Sequence, residues 1–303
     1  MSGEFDFINW VRRQTSTGNG GGDAHNGHLL LVPPGDDLAV LKWPAEDLLI
    51  VGVDQVLDTV HFDSTIHTPR DIGRKVMNRN LSDCAAMACL PVAAVATVAL
   101  PHARDIDYAK QLFTGMKVAA ETFECAIVGG DTASWEAPLA MTVSILGRSS
   151  GIKPVTRGGA KAGDHIYVTG PLGGSILGRH MTFIPRVREA RQLAKTGIVT
   201  SMIDISDGLS RDLRHICRES HVGATLHSSE IPIHPDADVL SRRTCRYPIE
   251  HALHDGEDYE LLFTTREEQP FGYWIGTITA EEGVVIDEDR AISLEPKGWE
   301  HKL

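Results

Sequence analysis

An aspartate stands beside glycine, or where an apolar run closes, at five places: Gly35-Asp36-Asp37, Val53-Asp54, Asn80-Leu81-Ser82-Asp83, Gly129-Gly130-Asp131 and Asp204-Ile205-Ser206-Asp207-Gly208. A carboxylate at the end of a buried strand gives up its water and needs a cation or amide donors in its place. One such aspartate alone reads as a turn former or a helix cap. Five together predict an α/β chain whose strand ends converge on a ligand, with a shared cluster of metal ions as the simplest account.

Around these positions the apolar pattern predicts an α/β (α+β) chain of two αβ domains, as about 150 residues per domain suggests for 303 residues. In the first domain, residues 1–149, strands are expected at 29–32 and 48–53, either side of the turn Pro33-Pro34-Gly35. Thr68 as N-cap, Pro69 at the first helical position and Asp71 in the first turn begin a helix running towards Met87. Pro91 closes that element, and a β-branched strand over 92–100, an amphipathic helix over 105–124 and strands at 125–128 and 140–146 follow. Residues 149–164, glycine-rich and without hydrophobic period, form the expected boundary. The second domain, residues 150–303, reads as a strand at 165–169, a glycine-rich turn with a helix after it, a helix over 186–196, a strand at 202–205 and a helix over 209–220. A strand near Ala224, a short helix near Glu250 and a strand at 259–264 complete it. Gly18 to Gly22 is a low-complexity stretch expected to order only on a ligand.

The charge excludes some functions. Lys+Arg 29 against Asp+Glu 41 leaves a net charge of -12, which argues against nucleic-acid binding through a broad basic surface. The five cysteines are odd in number and contain no C-x-x-C, so neither a disulfide framework nor a zinc knuckle is indicated, and a reducing cytoplasm is expected. Residues 1–14 lack the apolar core of a signal peptide, and the longest uncharged run, 84–101, is broken by Pro91, so no membrane span is expected.

Strand period puts Asp204 and Ser206 on one face, with Asp207 at the turn made by Gly208; capping of the helix from Leu209 is the plainer role for Asp207. Asn80 and Asp83, three apart, share a helix face. No G-x-x-x-x-G-K-[ST] is present, which excludes a P-loop. Gly170-Pro171-Leu172-Gly173-Gly174-Ser175 is a weak phosphate-loop candidate, with an ordinary tight turn as the alternative. Arg157 is either a bidentate phosphate clamp or a solvated linker charge. His61, beside Phe62, and Glu257-Asp258-Tyr259 are candidates for substrate contact, and no covalent nucleophile with a base is visible.

In this order the segments resemble the thiamine-monophosphate kinase family of the aminoimidazole-ribonucleotide-synthetase-like superfamily, along nearly the whole chain. The resemblance rests on Gly35-Asp36-Asp37, the run ending at Asp54 with Val60-His61-Phe62 after it, and Asn80-Leu81-Ser82-Asp83 with Ala85-Ala86-Met87. It continues with Gly129-Gly130-Asp131-Thr132, Asp204-Ile205-Ser206-Asp207-Gly208-Leu209 and Gly256-Glu257-Asp258-Tyr259-Glu260-Leu261. It implies a homodimer whose N-terminal halves pair through their strands, with ATP and several Mg2+ ions held between acidic loops. The implied activity is phosphorylation of thiamine monophosphate to thiamine diphosphate by direct in-line transfer. Matched by position, the resemblance implies Asp37, Asp54, Asp83, Asp131, Asp204 and Asp207 as metal ligands, and Gly130, Asp131, Arg157 and Ser206 as nucleotide contacts. His61 and Glu257 become substrate contacts, as does Trp299, whose Gly298-Trp299 pair resembles a glycine-aromatic pair near the family's C-terminus.

Three departures stand out. Gly52-Val53 occupies the place where the family commonly has Ser-Thr, so hydroxyl ligands are expected to be missing from one metal site. The tail Glu300-His301-Lys302 matches only in part, and residues 170–186 are short for the family. The alternatives are a non-catalytic nucleotide or thiamine-phosphate binder, or a superfamily ATP-dependent enzyme with another substrate. A selenophosphate-synthetase-like chain would want a reactive cysteine in its N-terminal glycine-rich stretch, whereas the first cysteine here is Cys84. A hydrogenase-maturation relative would want one at its C-terminus, where this chain has His301-Lys302-Leu303.

Overall fold

The computed structural model describes residues 10–11, 13–14, 30–32, 40–286 and 292–299. The chain divides into two compact units, Met1–Cys84 with Cys89–Gly151, and Ala85–Ala88 with Ile152–Leu303. Asp37 and the stretch Gly18 to Gly22 lie outside the described residues.

In the first unit β1 (Leu30–Val32) and β2 (Val40–Leu41) form a small antiparallel pair. The main sheet has four strands in the order β3–β6–β4–β5, with β3 Leu49–Leu57, β4 Leu90–Pro101, β5 Ala126–Trp135 and β6 Ala140–Arg148. Two helices accompany it, α1 (Pro69–Ala86) and α2 (Ile106–Thr122). The start of α1 follows from its first residues: the Thr68 hydroxyl accepts the Asp71 N–H at 3.2 Å and donates to the Asp71 carboxylate at 2.7 Å. α2 begins the same way, with Asp105 accepting the Tyr108 N–H at 2.9 Å. Register sets Gly52, Asp54 and Val56 of β3 opposite Ile145, Val143 and Met141 of β6, so all six side-chain positions share one face. α1 lies on that face, and Val56, Met141, Val143 and Ile145 are buried there together with Ile72, Val76, Met77 and Leu81. The other face carries Val51, 65% exposed, and Val53, 63% exposed, beside exposed Val95 and Thr97.

The second unit is a seven-stranded sheet in the order β13–β12–β9–β11–β7–β10–β8. In chain order its elements are β7 (His165–Val168), α3 (Arg179–Thr182), α4 (Val187–Lys195), β8 (Val199–Asp204), α5 (Leu209–Ser220), β9 (Gly223–Leu226), α6 (Pro235–Thr244) and α7 (Pro248–His254). They end with β10 (Leu261–Thr265), β11 (Tyr273–Thr279), β12 (Gly283–Ile286) and β13 (Ile292–Ser293). Leu209, Leu213, Ile216 and Cys217 make one helical stripe on α5 and join Ile166, Val168, Ile203, Leu262, Ile275 and Ile278 in a single buried core.

Two strands run further than the sequence leads one to expect. β3 continues past Val53 to Leu57 and β5 past Val128 to Trp135, so Asp54 and Asp131 sit within strands rather than at their ends. Gly129-Gly130 reads as a breaker, but the parallel ladder with β4 carries on through Thr97↔Asp131 to Pro101↔Trp135. The elements α6, β11, β12 and β13 have no counterpart in the sequence reading; in β11 a register shift between Trp274 and Gly276 interrupts the apolar alternation.

α1 and α2 approach backbone to backbone. A Cβ on Gly73 would stand 2.0 Å from the carbonyl oxygen of Leu112, and one on Gly115 would stand 2.0 Å from that of Arg70. A side chain at either place must push the helices apart, and overpacking of this kind costs about 1–3 kcal/mol. Gly115→Val is therefore expected to lower the unfolding free energy measured in urea by that amount, and an unchanged value would show that the crossing is loose.

Candidate active-site residues

β8 ends at Asp204, and the chain turns through Ser206, Asp207 and Gly208 into α5. Asp212, one turn into the helix, reaches back: one of its carboxylate oxygens accepts the N–H groups of Asp207 and Gly208, each at 3.1 Å. This clamp holds the turn from inside. The segment after α7 packs on its outer side, where the Glu257 N–H donates to the Ser206 carbonyl at 2.8 Å and the Tyr259 N–H to that of Ile205 at 2.9 Å. The tail closes on the same peptide, with the Trp299 N–H donating to the Asp207 carbonyl at 3.0 Å. Position 298 admits only glycine, because a Cβ there would lie 1.9 Å from that carbonyl oxygen. Thus Asp204, Ser206, Asp207, Glu257 and Trp299, all singled out in the sequence, converge around one turn, and Trp299 is 49% exposed.

The electrostatics of the turn follow from its crowding. Burial, then Asp207, then Asp204 push the Asp212 carboxyl well above the usual carboxylate range. Ligand atoms of Asp207, Asp212 and His215 all lie within 4.8 Å of one another, a donor set able to hold a metal ion. Burial and the positive charge of Arg157 lower His215. Arg157 is itself exposed, and its carbonyl accepts the Ser220 hydroxyl at 3.2 Å.

In the first unit Asp54 receives the Arg79 guanidinium at 2.7 and 3.4 Å. Asp83, on the same helix, faces the same strand: a Cβ on Gly52 would lie 4.0 Å from its carboxylate oxygen. His61 accepts the Leu57 N–H on Nδ1 at 3.0 Å, which places the imidazole proton on Nε2, and its carbonyl accepts the fully buried Lys75 ammonium at 2.5 Å. Asp131 is exposed, and its carboxylate accepts the N–H of Thr132 at 2.9 Å. Register aligns Asp54, Val143, Ala96 and Gly130 in one row, so Asp131, one residue on, points to the opposite face. With strands about 4.8 Å apart, Asp54 and Asp131 are separated by about 14 Å across the sheet. Asp54 and Asp83 therefore meet on one face, and Asp131 does not join them within this unit.

The glycine-rich turn after β7 is an ordinary tight turn. Its amides are already engaged, Gly173 N–H with the Asp258 carboxylate at 3.0 and 3.1 Å and Gly174 N–H with Asp255 at 3.0 Å. Sequence reasoning also passed over Asp212, His215, Arg79 and His180. The first two follow Asp207 at helical offsets and could have been found as residues turned back towards the cap; the others carry no local signal.

The family model described as AIR synthase related protein, N-terminal domain, matches residues 35–149. A thiamine-monophosphate kinase of Rhodopirellula baltica is 40% identical over 242 residues, covering 78% of this chain and 76% of the relative. The chain belongs to the thiamine-monophosphate kinase family. An Aquifex aeolicus member is 31% identical over 291 residues, covering 88% of this chain and 92% of its own. Among solved structures, AaThiL complexed with AMPPCP and TMP superposes with a TM-score of 0.78 at 27% identity, covering 99% of this chain and 97% of that one.

The same loop that carries Glu257 holds a buried carboxyl. Burial pushes Asp258 up to about 7, against the opposing pull of Arg179 and the Gly173 N–H. A carboxyl raised in the folded state binds its proton more tightly there than in the unfolded chain, so stability falls as pH rises from about 4 through about 7. Asp258→Asn keeps an oxygen acceptor for both donors and is expected to flatten that part of the profile of urea midpoint against pH. A profile parallel to the parent's would contradict this.

Proposed function

We propose that this chain transfers the γ-phosphoryl group of ATP to thiamine monophosphate, giving thiamine diphosphate. The observation that carries the reading is the convergence of Asp204, Ser206 and Asp207 with Glu257 and Trp299 on one turn, in a chain of this family. The nucleophile is an oxygen of the acceptor's own phosphate, so the protein's work is alignment and charge neutralisation. Mg2+, when bound, would offset the negative charge of the phosphates. Asp204 and Asp207 in one unit, and Asp37, Asp54, Asp83 and Asp131 in the other, are its proposed ligands, and the hard carboxylate oxygens of Asp204, Asp207 and Asp212 suit it. Gly130, Asp131, Arg157 and Ser206 contact the nucleotide, while Glu257 and Trp299 contact the acceptor. His61, fixed as an Nε2–H donor, is suited to an acceptor oxygen.

The chain acts as a homodimer in the cytoplasm in this reading. Two observations support the dimer: the exposed apolar positions Val51, Val53 and Val95 share one sheet face, and Asp54 and Asp131 occupy opposite edge strands. A second copy covering that face would enclose Val51, Val53 and Val95 together with Asp131, which points to the same side.

Turnover is expected only with ATP, thiamine monophosphate and a divalent cation together; product formed in excess chelator would overturn the metal role. Binding of both ligands without product would select a non-catalytic binder. Asp83→Asn and Asp207→Asn are each expected to reduce turnover by orders of magnitude with the fold intact by circular dichroism; parent-like activity in either would remove that residue from the site.

The Gly52-Val53 departure has a directional consequence. Position 52 faces Asp83 and position 53 the opposite side of the sheet. Gly52→Ser, which adds a hydroxyl beside Asp83, is expected to lower the half-saturating magnesium concentration by up to about 10-fold, and Val53→Thr to leave it in place. Coincident magnesium titrations of Gly52→Ser and parent would show that the missing hydroxyl does not matter.

A further inference from the structure

The helix α3 and the residue after it grip three consecutive residues of the loop that carries Glu257. Arg179 pairs with Asp258 at 2.9 Å, His180 Nδ1 lies 3.2 Å from one Glu257 carboxylate oxygen, and the Phe183 ring stacks on Tyr259 with centroids 3.8 Å apart and planes 15° from parallel. The Tyr259 hydroxyl then donates to the other Glu257 oxygen at 3.3 Å. Each oxygen of this carboxylate thus has its own neighbour, a buried histidine nitrogen on one side and, on the other, the hydroxyl of a tyrosine held by stacking.

The backbone agrees with a built arrangement. Glu257 and Tyr259 both adopt the left-handed region, with φ of 52° and 53°, which non-glycine residues avoid unless their surroundings impose it. Here the imposing contacts are the N–H bonds to Ser206 and Ile205, the two α3 contacts from Arg179 and His180, and the stacked Phe183 ring. Non-glycine residues in this conformation concentrate at ligand clamps.

We propose that His180 and Tyr259 are positioning residues that orient the Glu257 carboxylate, and that they set affinity for the acceptor and not for the nucleotide. The inference rests on the reading above of Glu257 as an acceptor contact. The Glu257 side chain is 25% exposed, so its open side can meet a ligand, and a fixed carboxylate attracts N–H donors while repelling phosphate. Trp299, half-exposed and tied through its main-chain N–H to the adjacent peptide, offers a flat apolar ring. Together they suit a nitrogen-bearing aromatic ring, the part of the acceptor remote from phosphoryl transfer.

The test compares steady-state kinetics of Tyr259→Phe, His180→Leu and His180→Asn with the parent, varying thiamine monophosphate and ATP separately. Tyr259→Phe keeps the stacked ring and removes only the hydroxyl; His180→Asn restores an N–H near the position of Nδ1. Tyr259→Phe and His180→Leu are expected to raise the KM for thiamine monophosphate by about 5-fold to 10-fold, the effect of losing one such hydrogen bond. kcat should fall by less, the KM for ATP should stay at the parent value, and His180→Asn should recover much of the loss. An unchanged acceptor KM in Tyr259→Phe overturns the proposal. So does a joint rise of both KM values with a lowered melting temperature, which would mark a packing role. A parent that makes no thiamine diphosphate at all overturns the functional reading and this inference with it.

Discussion

The peptide of Ser206-Asp207-Gly208 is the point on which the second unit's arrangement depends. Its N–H groups go inward to Asp212, and its carbonyls go outward to Glu257 and Trp299. Positioning by main-chain bonds sets where the Asp207, Glu257 and Trp299 side chains stand around the turn. Each bond contributes only about 0.5–1.5 kcal/mol net, but leaving its partners unsatisfied would cost more, so the loop, the turn and the tail are held in register. The cost is concentrated in Asp212, whose carboxyl is buried and pushed up by the acids that it organises.

The first unit achieves its separation of roles by strand parity. Gly52 and Asp54 face α1, where Asp83 and Arg79 project, and Val51 and Val53 face the open side. A shift of one residue in register would exchange the two sets, so the nine-residue β3–β6 ladder that fixes this register also fixes which side is polar. Asp131 falls on the open side because β5 carries one extra residue, Val128, between the pairs Ala94↔Ile127 and Val95↔Gly129, and then continues through Gly129-Gly130 so that Asp131 stands opposite Thr97.

Much of this was legible in the chain. Asp204-Ile205-Ser206-Asp207-Gly208 announces a strand, a turn and a helix start by residue type alone, and Thr68-Pro69 with Asp71 announces α1 for the same reason. The grip on Glu257 was not legible, since α3 is four residues long and has no period to read. Nor was the separation of Asp54 from Asp131, because glycine pairs signal a turn in sequence while a parallel partner strand can carry them as ladder. Local chemistry was readable, whereas features set by a distant partner strand were not.

Arg79 and the Gly52 departure bear on the same carboxylates with the same sign. The guanidinium occupies oxygens of Asp54 that a divalent ion would need, and its charge opposes such an ion nearby. A serine hydroxyl at position 52 would have faced Asp83 and partly offset this competition, and glycine offers nothing there. The metal proposed at Asp54 and Asp83 is thus held against a fixed positive charge with one oxygen donor fewer than the Ser-Thr pattern provides. In the second unit, burial and then the charges of Asp207 and Asp204 push the Asp212 carboxyl up, so a cation proposed there would meet an excess of negative charge. The strand site is thus the one at which a change of a single residue is expected to alter the dependence on the metal.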